Sequence, residues 1–382
     1  MKLEFTREEY LNRHKRIVEL LDEHGLDALM VTAEPNVNYY SGWRNFIPWW
    51  TYSRPYILVI PKDHDPVLMV QGFQHFDASR DSWIKDVRSY ESLVGVPAAQ
   101  VANLFKELGL IGKQIGMELG YEQRIFMPYK DFEEIKKALT GCTFVDASDI
   151  IWKQRMVKSE AEIASHRRAC EIGDKVYQAV FSQTKEGMTE KEVARIIGRT
   201  IAEEGGEQGF CIVLSGPGNY GRVAGMPTER VLQKGDLMWI DLGVIANGYW
   251  CDFCRAGVIG GPSDEQTRLQ NVIVDITLKT AKQVRPGMTA SELSKICLEL
   301  AADRGIDFSF NCGRLGHGMG INSTEPPHIA LYDNTILEPG MHFTLEPGVV
   351  NEIGTFIAEE NIVVRPDGYE LLTITPRGLY TI

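Results

Sequence analysis

A tight turn between two apolar, aromatic-rich runs constrains the fold of this chain most strongly. The stretch IDLGVIANGYWCDF carries Asn247-Gly248 near its centre. Asn-Gly is the strongest short-range hairpin signal, because both turn positions need a positive φ. With these two residues as the turn, Asp241 pairs with Cys254, and Asp252 lies diagonally across on the same face as Asp241. Two carboxylates on one face repel, so the hairpin predicts a positive group between them.

The length of the chain predicts two domains. Its 382 residues exceed what one hydrophobic core usually supports. Residues 1–153 alternate helix and strand patterns, such as REEYLNRHKRIVELLDEHG followed by DALMVTA, which predicts an α/β domain. Residues 154–382 form the second domain, and its first long helix begins at Ser159, which has the capping-box spacing with Glu162.

The second domain contains an internal repeat. The segments EGMTEKEVARIIGRTIAEEG (186–205) and PGMTASELSKICLELAADRG (286–305) share a Gly-Met-Thr start, a helical pattern and a final glycine. Strand-like segments follow each of them. This repetition predicts an α+β domain with pseudo-two-fold symmetry and one shared sheet.

Charge and composition exclude several classes of protein. A net charge of −12 offers no basic stripe for nucleic acid. No apolar run approaches the ~20 residues that span a bilayer, and the charged N-terminus is unlike a signal peptide. Seven scattered cysteines indicate a reducing compartment, so we expect a cytoplasmic protein. Cys251 and Cys254 fall on opposite faces of one strand, which favours packing over metal or redox chemistry.

Three further chemically active groups follow the hairpin. His317 lies between glycines in RLGHGMGINSTEPP, Glu346 ends an apolar strand in HFTLEPGVV, and Glu359 lies within FIAEENIVV. A carboxylate inside such a run is costly to bury unless it is paired or bound to metal. Together with the hairpin aspartates they make four carboxylates and one imidazole, a donor set that suits Mn²⁺, Co²⁺ or Zn²⁺. Four negative charges can neutralise two such ions.

The choice between Glu359 and Glu360 depends on strand register. A shift of one residue reverses the face to which a side chain points. We choose Glu359 as the ligand from its spacing to the apolar run NIVV, and Glu360 stays the alternative.

On these motifs the chain resembles the pita-bread metallohydrolases, which include methionine aminopeptidase, prolidase, Xaa-Pro aminopeptidase and creatinase. The segments that carry the resemblance are DLGVIANGYWCD, GHGMGINSTEPP, FTLEPG and AEENIVV. The resemblance covers nearly the whole chain. It implies a creatinase-type α/β domain over 1–153 and a pseudo-two-fold pita-bread catalytic domain over 154–382.

The resemblance also implies roles for the five residues. Asp241 is expected to bind one metal in bidentate fashion, and Asp252 and Glu359 are expected to bridge two. His317 and Glu346 complete the second site, and both are the expected catalytic residues, with Glu346 taking the proton from the attacking water. The implied cofactors are two divalent ions, with Mn²⁺ expected and Co²⁺, Zn²⁺ or Fe²⁺ as alternatives.

The chain departs from the peptidases of this family at three positions. Ala224 and Thr324 stand where those peptidases carry histidines that bind the scissile carbonyl oxygen or shuttle protons, and Ile357 stands where an arginine is expected. Losing such a group typically costs on the order of 10²-fold in rate. We expect His328, His342 and Thr324 itself to contribute to substrate binding, although the two histidines also fit rim positions of the sheet.

The N-terminal segment NVNYYSGWRNFIPWWTYSRPYILVI resembles the creatinase branch. In that branch an aromatic residue and an arginine of one subunit enter the partner's active site and bind the substrate carboxylate. Tyr52 and Arg54 fall at these positions. The resemblance therefore implies a homodimer, and the alternative is an aromatic loop packed on its own domain.

The expected function is that of a dinuclear metal-dependent hydrolase of a C–N bond in a small, carboxylate-bearing substrate, of Xaa-Pro dipeptidase or aminopeptidase type. One alternative is a creatinase-like or ectoine-hydrolase-like amidine hydrolase. Another is a lyase of the DMSP type. The competing class is a non-catalytic binding protein on the same fold, against which the five retained ligands argue.

Overall fold

The structure, a computed structural model, describes residues 3–45, 54–308 and 313–382. The chain divides into two compact units, Met1–Arg155 and Met156–Ile382. None of the helices in the described ranges combines the length and the apolar character that crossing a membrane requires.

The first unit is built on a mixed six-stranded sheet. Its helices are α1 (Arg7–Glu23), α2 (Glu34–Ser41), α3 (His75–Asp81), α4 (Ala98–Glu107), α5 (Tyr129–Ala138) and α6 (Ser148–Met156). Its strands are β1 (Ala28–Val31), β2 (Ile57–Pro61), β3 (Val67–Gln71), β4 (Asp86–Tyr90), β5 (Gln114–Met117) and β6 (Thr143–Asp146). The strand order is β4-β3-β2-β1-β5-β6. The apolar run ALMV forms β1, which is buried at every position because it lies at the centre of this sheet, antiparallel to β2 and parallel to β5.

The second unit contains four helices and eleven strands among the described residues. The helices are α7 (Glu160–Gln183), α8 (Glu190–Glu203), α9 (Asp264–Ala281) and α10 (Ala290–Ala302). The longer strands are β7 (Glu207–Ser215), β8 (Leu237–Ala246), β9 (Tyr249–Val258), β12 (His342–Leu345) and β15 (Glu360–Arg365). The shorter ones are β10 (His317–Gly318), β11 (Glu325–His328), β13 (Gly348–Asn351), β14 (Gly354–Ile357), β16 (Gly368–Leu371) and β17 (Tyr380–Thr381).

The predicted helix starts are confirmed. Ser159 and Glu162 form a capping box at the start of α7, in which each side chain accepts a hydrogen bond from the other residue's backbone N–H. Thr189 of α8 and Thr289 of α10 cap their helices in the same way. The two glycine turns that precede these helices also correspond, since Gly187 N–H donates to Leu232 O and Gly287 N–H to Leu337 O, both at 2.9 Å.

The prediction of one shared sheet is wrong. The strands of the second unit form a four-stranded sheet in the order β17-β9-β8-β7, a five-stranded sheet in the order β11-β10-β12-β15-β16, and the separate pair β13-β14. The physical reason lies in the edges of the hairpin. β8 is paired on its outer side with β7, and β9 with the C-terminal β17, so neither long strand has a free edge for strands of the second half.

Strand β9 separates two hydrophobic clusters. Phe253 and Cys251 belong to the cluster under α7 and α8, whereas Cys254 belongs to the one that includes α9 and α10. Both cysteines are fully buried. The two thiols therefore lie on opposite faces of the strand, as their odd spacing predicts.

Candidate metal centre

The β8–β9 hairpin brings the two aspartates together as the sequence predicts. Asn247 and Gly248 have φ angles of 51° and 82°, the positive values that a type I′ turn requires. Asp241 of β8 pairs with Cys254 of β9, and Asp252 pairs with Gly243. Asp241 and Asp252 are consequently diagonal neighbours, and each carboxylate affects the pKa of the other.

The other three residues come from the five-stranded sheet. His317 begins β10, Glu346 directly follows β12, and Glu359 directly precedes β15. The backbone N–H of Glu346 donates to Leu315 O at 2.8 Å, and that of His317 donates to Thr344 Oγ1 at 3.2 Å. These two bonds hold the ends of β10 and β12 in one register, so that both functional side chains emerge at the same end of the sheet.

All five predicted residues meet at one place. One ligand atom each of Asp252, His317 and Glu359 lies within 4.8 Å of the other two. His317 Nε2 is 3.6 Å from Asp252 Oδ2 and 3.7 Å from Glu346 Oε1. With Asp241 beside Asp252, these residues form a unit that we call the carboxylate–histidine cluster: Asp241, Asp252, His317, Glu346 and Glu359.

The electrostatics of the cluster favour the binding of a cation. Burial, with the neighbouring carboxylates, raises the pKa of Asp252 and Glu359 well above their usual values. Burial raises the pKa of Asp241 to about 7 and, together with Asp241, that of Glu346 to about 7. Burial and the nearby Arg314 guanidinium lower the pKa of His317 to about 3, so its imidazole is neutral and can act as a metal ligand.

The donor set fits a divalent metal centre. Oδ1 of Asp241 and Oδ1 of Asp252 are buried and have no hydrogen-bond partner among the described residues. Such oxygens are costly to bury unless a cation satisfies them. Four carboxylates and a neutral imidazole supply the oxygen-rich, one-nitrogen environment that Mn²⁺ and similar ions accept.

Glu360 lies outside the cluster because it belongs to a separate ion-pair network. Its Oε1 accepts from Arg255 Nη2 at 2.9 Å, and its Oε2 accepts from Arg377 Nη2 at 2.7 Å and from Thr373 Oγ1 at 2.6 Å. Both glutamates are buried. The structure thus places Glu359, and not Glu360, beside Asp252 and His317.

Two residues that the sequence did not reveal hold the backbone of two of the ligands by hydrogen bonds. Arg255 is fully buried and donates to the carbonyl oxygen of Glu359 at 2.8 Å. Asn361 Nδ2 donates to the carbonyl oxygen of Asp252 at 2.6 Å. The available signal was a charged residue within the apolar run CDFCRAGVIG, since a buried arginine requires a dedicated partner.

The predicted substrate-binding histidines lie in different surroundings. His328 is opposite His317 in the β10–β11 pairing, and its Nδ1 accepts a hydrogen bond from Arg314 Nη1 at 3.1 Å. His342 is fully buried in β12, and its ring centroid is 4.1 Å from that of His166 in α7. This buried position favours packing inside the domain over substrate binding for His342.

The remaining predicted residues are peripheral or lie outside the described part. Thr324 is partly buried immediately before β11, and Ala224 is exposed in a loop between β7 and β8. Arg54 is the first described residue of the stretch before β2 and is close enough to Tyr90 to oppose the rise in the pKa of Tyr90 that burial causes. Tyr52 lies outside the described residues.

Comparison with known proteins identifies the family. Residues 164–366 match metallopeptidase family M24, and residues 13–157 match the creatinase/prolidase N-terminal domain. The chain belongs to metallopeptidase family M24. The predicted family, the two-domain α/β pita-bread fold class and the peptidase-type hydrolase activity are confirmed, and the family implies a divalent metal.

Relatives match over nearly the full chain. The chain is 30% identical to an Xaa-Pro dipeptidase of Pyrococcus horikoshii, covering 96% of this chain and 97% of that protein. It is 28% identical to an Xaa-Pro dipeptidase of Pyrococcus furiosus, covering 96% and 99% respectively. Among solved structures, an X-Pro aminopeptidase from Thermotoga maritima superimposes with a TM-score of 0.84 at 26% identity, covering 97% and 99%. The chain is therefore a prolidase-like member of family M24.

Proposed function

We propose that this M24 peptidase is a dinuclear metal-dependent hydrolase that cleaves a C–N bond in a small, carboxylate-bearing substrate of the Xaa-Pro dipeptide type. The observation that carries the proposal is the carboxylate–histidine cluster, with its four carboxylates and its unpartnered buried oxygens. Full-length similarity to two Xaa-Pro dipeptidases supports the choice of substrate class.

The cluster has ligands for two cations. In our proposal Asp241, Asp252, His317, Glu346 and Glu359 would hold them. Mn²⁺ suits this oxygen-rich set best, and Co²⁺, Zn²⁺ or Fe²⁺ are alternatives. Divalent cations bound here would lower the pKa of a water molecule and polarise the scissile carbonyl group.

Glu346 is the residue that exchanges protons with the reactants. Its side chain is 15% exposed, compared with 10% for Asp252 and 5% for His317, so it is the most accessible of these three. A carboxylate at this position accepts the proton of the attacking water and returns it to the leaving nitrogen. Arg255 and Asn361 keep the backbone of Glu359 and Asp252 in place, which fixes the neighbouring ligands without contact to substrate.

A panel of Xaa-Pro dipeptides tests this function. Mn²⁺-loaded wild-type protein is expected to release proline, and Asp252→Ala is expected to lose both activity and bound metal while remaining folded. Metal content by mass spectrometry should show two ions per wild-type chain. Full activity in Asp252→Ala would rule out the dinuclear centre.

A second candidate follows from the missing peptidase histidines. Ala224 and Thr324 occupy these two positions, and neither side chain carries an imidazole. A wild-type protein that holds two metals and releases no proline would exclude the dipeptidase. The substrate would then be sought among small amidines and cyclic amino acids, as in creatinase-like or ectoine-hydrolase-like enzymes, or among betaines for a lyase.

We also propose a homodimer in which Tyr52 and Arg54 of one subunit serve the active site of the other. A mixing experiment tests this directly. Arg54→Ala and Asp252→Ala are each expected to be inactive, and a refolded mixture of both should regain about a quarter of wild-type activity through one intact site in each mixed dimer. A monomer in sedimentation experiments, or a mixture without activity, contradicts the proposal.

A further inference from the structure

A buried ion pair lies in the second unit, outside the carboxylate–histidine cluster. Lys158 Nζ is 3.5 Å from Glu325 Oε2, and each side chain is 1% exposed. Removing two such charges from water is costly. Replacing such a pair with apolar side chains of similar volume often leaves a fold equally stable or more stable. Stability alone therefore does not account for this pair.

The backbone around Lys158 is fixed on both sides. Its N–H donates to Gly340 O at 3.0 Å, and the preceding residue, Val157, pairs with Met341 in an antiparallel bridge. The next residue, Ser159, caps α7. The ammonium group of Lys158 consequently extends from a backbone that has little freedom to move.

The carboxylate of Glu325 is surrounded by residues 319–324, which join β10 to β11 and which we call the ligand loop. Its Oε1 accepts a hydrogen bond from the backbone N–H of Asn322 at 3.1 Å. The backbone of Gly320 also passes close to this carboxylate, because a Cβ atom added there would lie 2.6 Å from Oε2. The ligand loop is therefore folded around the group that pairs with the lysine.

Strand pairing alone does not fix the ligand loop relative to His317. The two pairs of the β10–β11 ladder are His317 with His328 and Gly318 with Glu325. The register shifts between these pairs because the stretch EPPH inserts two prolines on one side, and proline has no N–H to donate. The ion pair with Lys158 supplies a restraint that the ladder lacks at this point.

Trp250 of β9 attaches the ligand loop to the strand that carries Asp252. Its backbone N–H donates to Gly320 O at 3.0 Å, and its indole Nε1–H donates to Ile321 O at 2.8 Å. Trp250 and Asp252 are two residues apart in one strand, so their side chains emerge on the same face. The ligand loop thus connects the strand of Asp252 with the strand of His317.

We infer that Lys158 and Glu325 are positioning residues for the proposed metal centre, an inference that rests on the proposed function. Their ion pair holds the ligand loop. The loop in turn keeps His317 Nε2 at 3.6 Å from Asp252 Oδ2, a spacing at which both atoms can bind one ion. Loss of a group that orients a metal ligand typically lowers metal affinity or activity by about 10- to 100-fold.

A double variant without either charge separates positioning from stability. Lys158→Met and Glu325→Gln each leave one buried charge without its counter-ion, so both single variants should unfold at lower urea concentration than the wild type. The double variant Lys158→Met/Glu325→Gln has neither charge, and its urea midpoint should return close to the wild-type value. Its Mn²⁺ affinity in calorimetry, and its kcat on an Xaa-Pro dipeptide, should nevertheless fall by roughly 10- to 100-fold, with a smaller change in KM. A double variant with wild-type Mn²⁺ affinity and kcat would overturn the inference.

An exposed ion pair of the same residue types is the matched control. Lys191 Nζ lies 2.8 Å from Glu229 Oε1, and the two side chains are 50% and 73% exposed. Lys191→Met/Glu229→Gln should keep the urea midpoint, the Mn²⁺ affinity and the kcat of the wild type, because exposed pairs contribute little.

Hydrogen exchange of the metal-free proteins gives a readout that needs neither metal nor turnover. Measured by mass spectrometry, the peptide that contains the ligand loop should exchange faster in Lys158→Met/Glu325→Gln than in the wild type. The control variant should exchange at the wild-type rate. Equal exchange of this peptide in all three proteins would contradict a role of the buried pair in holding the loop.

Trp250→Phe tests the ligand loop without disturbing a buried charge. It removes the Nε1 donor to Ile321 O and keeps an aromatic ring, so Mn²⁺ affinity should fall by several-fold, and this result decides the matter if the double variant does not fold. Unchanged Mn²⁺ affinity in Trp250→Phe would overturn the inference. A wild-type protein that binds Mn²⁺ and releases no proline would overturn the proposed function alone, because metal affinity and hydrogen exchange still report on the ion pair.

Discussion

Glu359 and Glu360 are consecutive residues whose buried carboxylates meet opposite surroundings. The carboxylate of Glu359 lies with Asp252 and His317, close enough for the three residues to share a metal ion. That of Glu360 lies between the guanidinium groups of Arg255 and Arg377. One carboxylate is therefore available to a metal, and the other holds the end of the sheet together.

Neutralising each of these glutamates should have a different effect. Glu359→Gln is expected to lose metal and activity with little loss of stability, because it removes a repelling charge from the cluster. Glu360→Gln leaves Arg255 buried without its counter-ion, which typically costs about 3–5 kcal/mol. The metal content of the two variants measures the first effect. Urea unfolding of both variants after removal of metal measures the second. Equal metal content in both variants would show that the assignment of the ligand is wrong.

The pKa of Asp241 predicts a pH-dependent stability of the metal-free protein. Its pKa is raised from 3.8 to about 7, so the folded protein binds the proton more tightly than the unfolded chain does. This contribution to stability is lost as the pH rises through about 7. Asp241→Asn removes the charge. In the presence of a chelator, the free energy of unfolding of the variant relative to that of the wild type should rise by roughly 1–3 kcal/mol from pH 5 to pH 8. Urea unfolding of both proteins at the two pH values measures this change. An equal difference in the free energy of unfolding at pH 5 and pH 8 would contradict a raised pKa of Asp241.

The local part of this site is readable from the sequence. Asn247-Gly248 fixes the hairpin register, because only one pairing places both residues at positive φ, and the register puts Asp241 and Asp252 on one face. The capping boxes are equally local, since Thr189 and Thr289 each contact a glutamate three residues away. Such features depend on neighbours in the chain and need no knowledge of the fold.

The contacts between residues that are far apart in the chain could not be predicted from the sequence. Glu359 and Glu360 are distinguished by Arg255 and Arg377, which lie far apart in the chain, and strand parity alone does not say which glutamate meets them. The division of the strands into separate sheets depends on the pairing of β17 with the edge of β9, which involves only two residues of β17 and has no periodicity of its own.

The buried pair His166 and His342 predicts sensitivity to acid. Burial and, to a smaller extent, the charge of Lys158 lower the pKa of His166 to about 3, so folding disfavours protonation of its imidazole. The stabilising contribution is present above the ordinary value of 6.5 and is lost as pH falls towards 3. His166→Asn keeps a donor for Trp250 O, which now accepts from Nδ1 at 2.6 Å, and cannot titrate. Between pH 7 and pH 4 the variant should lose roughly 1–3 kcal/mol less than the wild type in urea unfolding, and parallel losses would contradict this account.

The turn at Gly248 predicts a link between backbone strain and metal binding. Gly248 has a φ of 82°, a region that costs an L-residue about 1–2 kcal/mol, so Gly248→Ala should destabilise the protein by that amount. Strain at the turn also loosens the register that aligns Asp241 with Asp252, so metal affinity should fall by several-fold although neither ligand is changed. Gly221→Ala is the matched control, because that glycine has open space around it and no positive φ. The control should be neutral or slightly stabilising through the unfolded chain. Urea unfolding and Mn²⁺ titration of both variants measure the two effects, and a Gly248→Ala variant with wild-type metal affinity would show that the turn does not set the geometry of the aspartates.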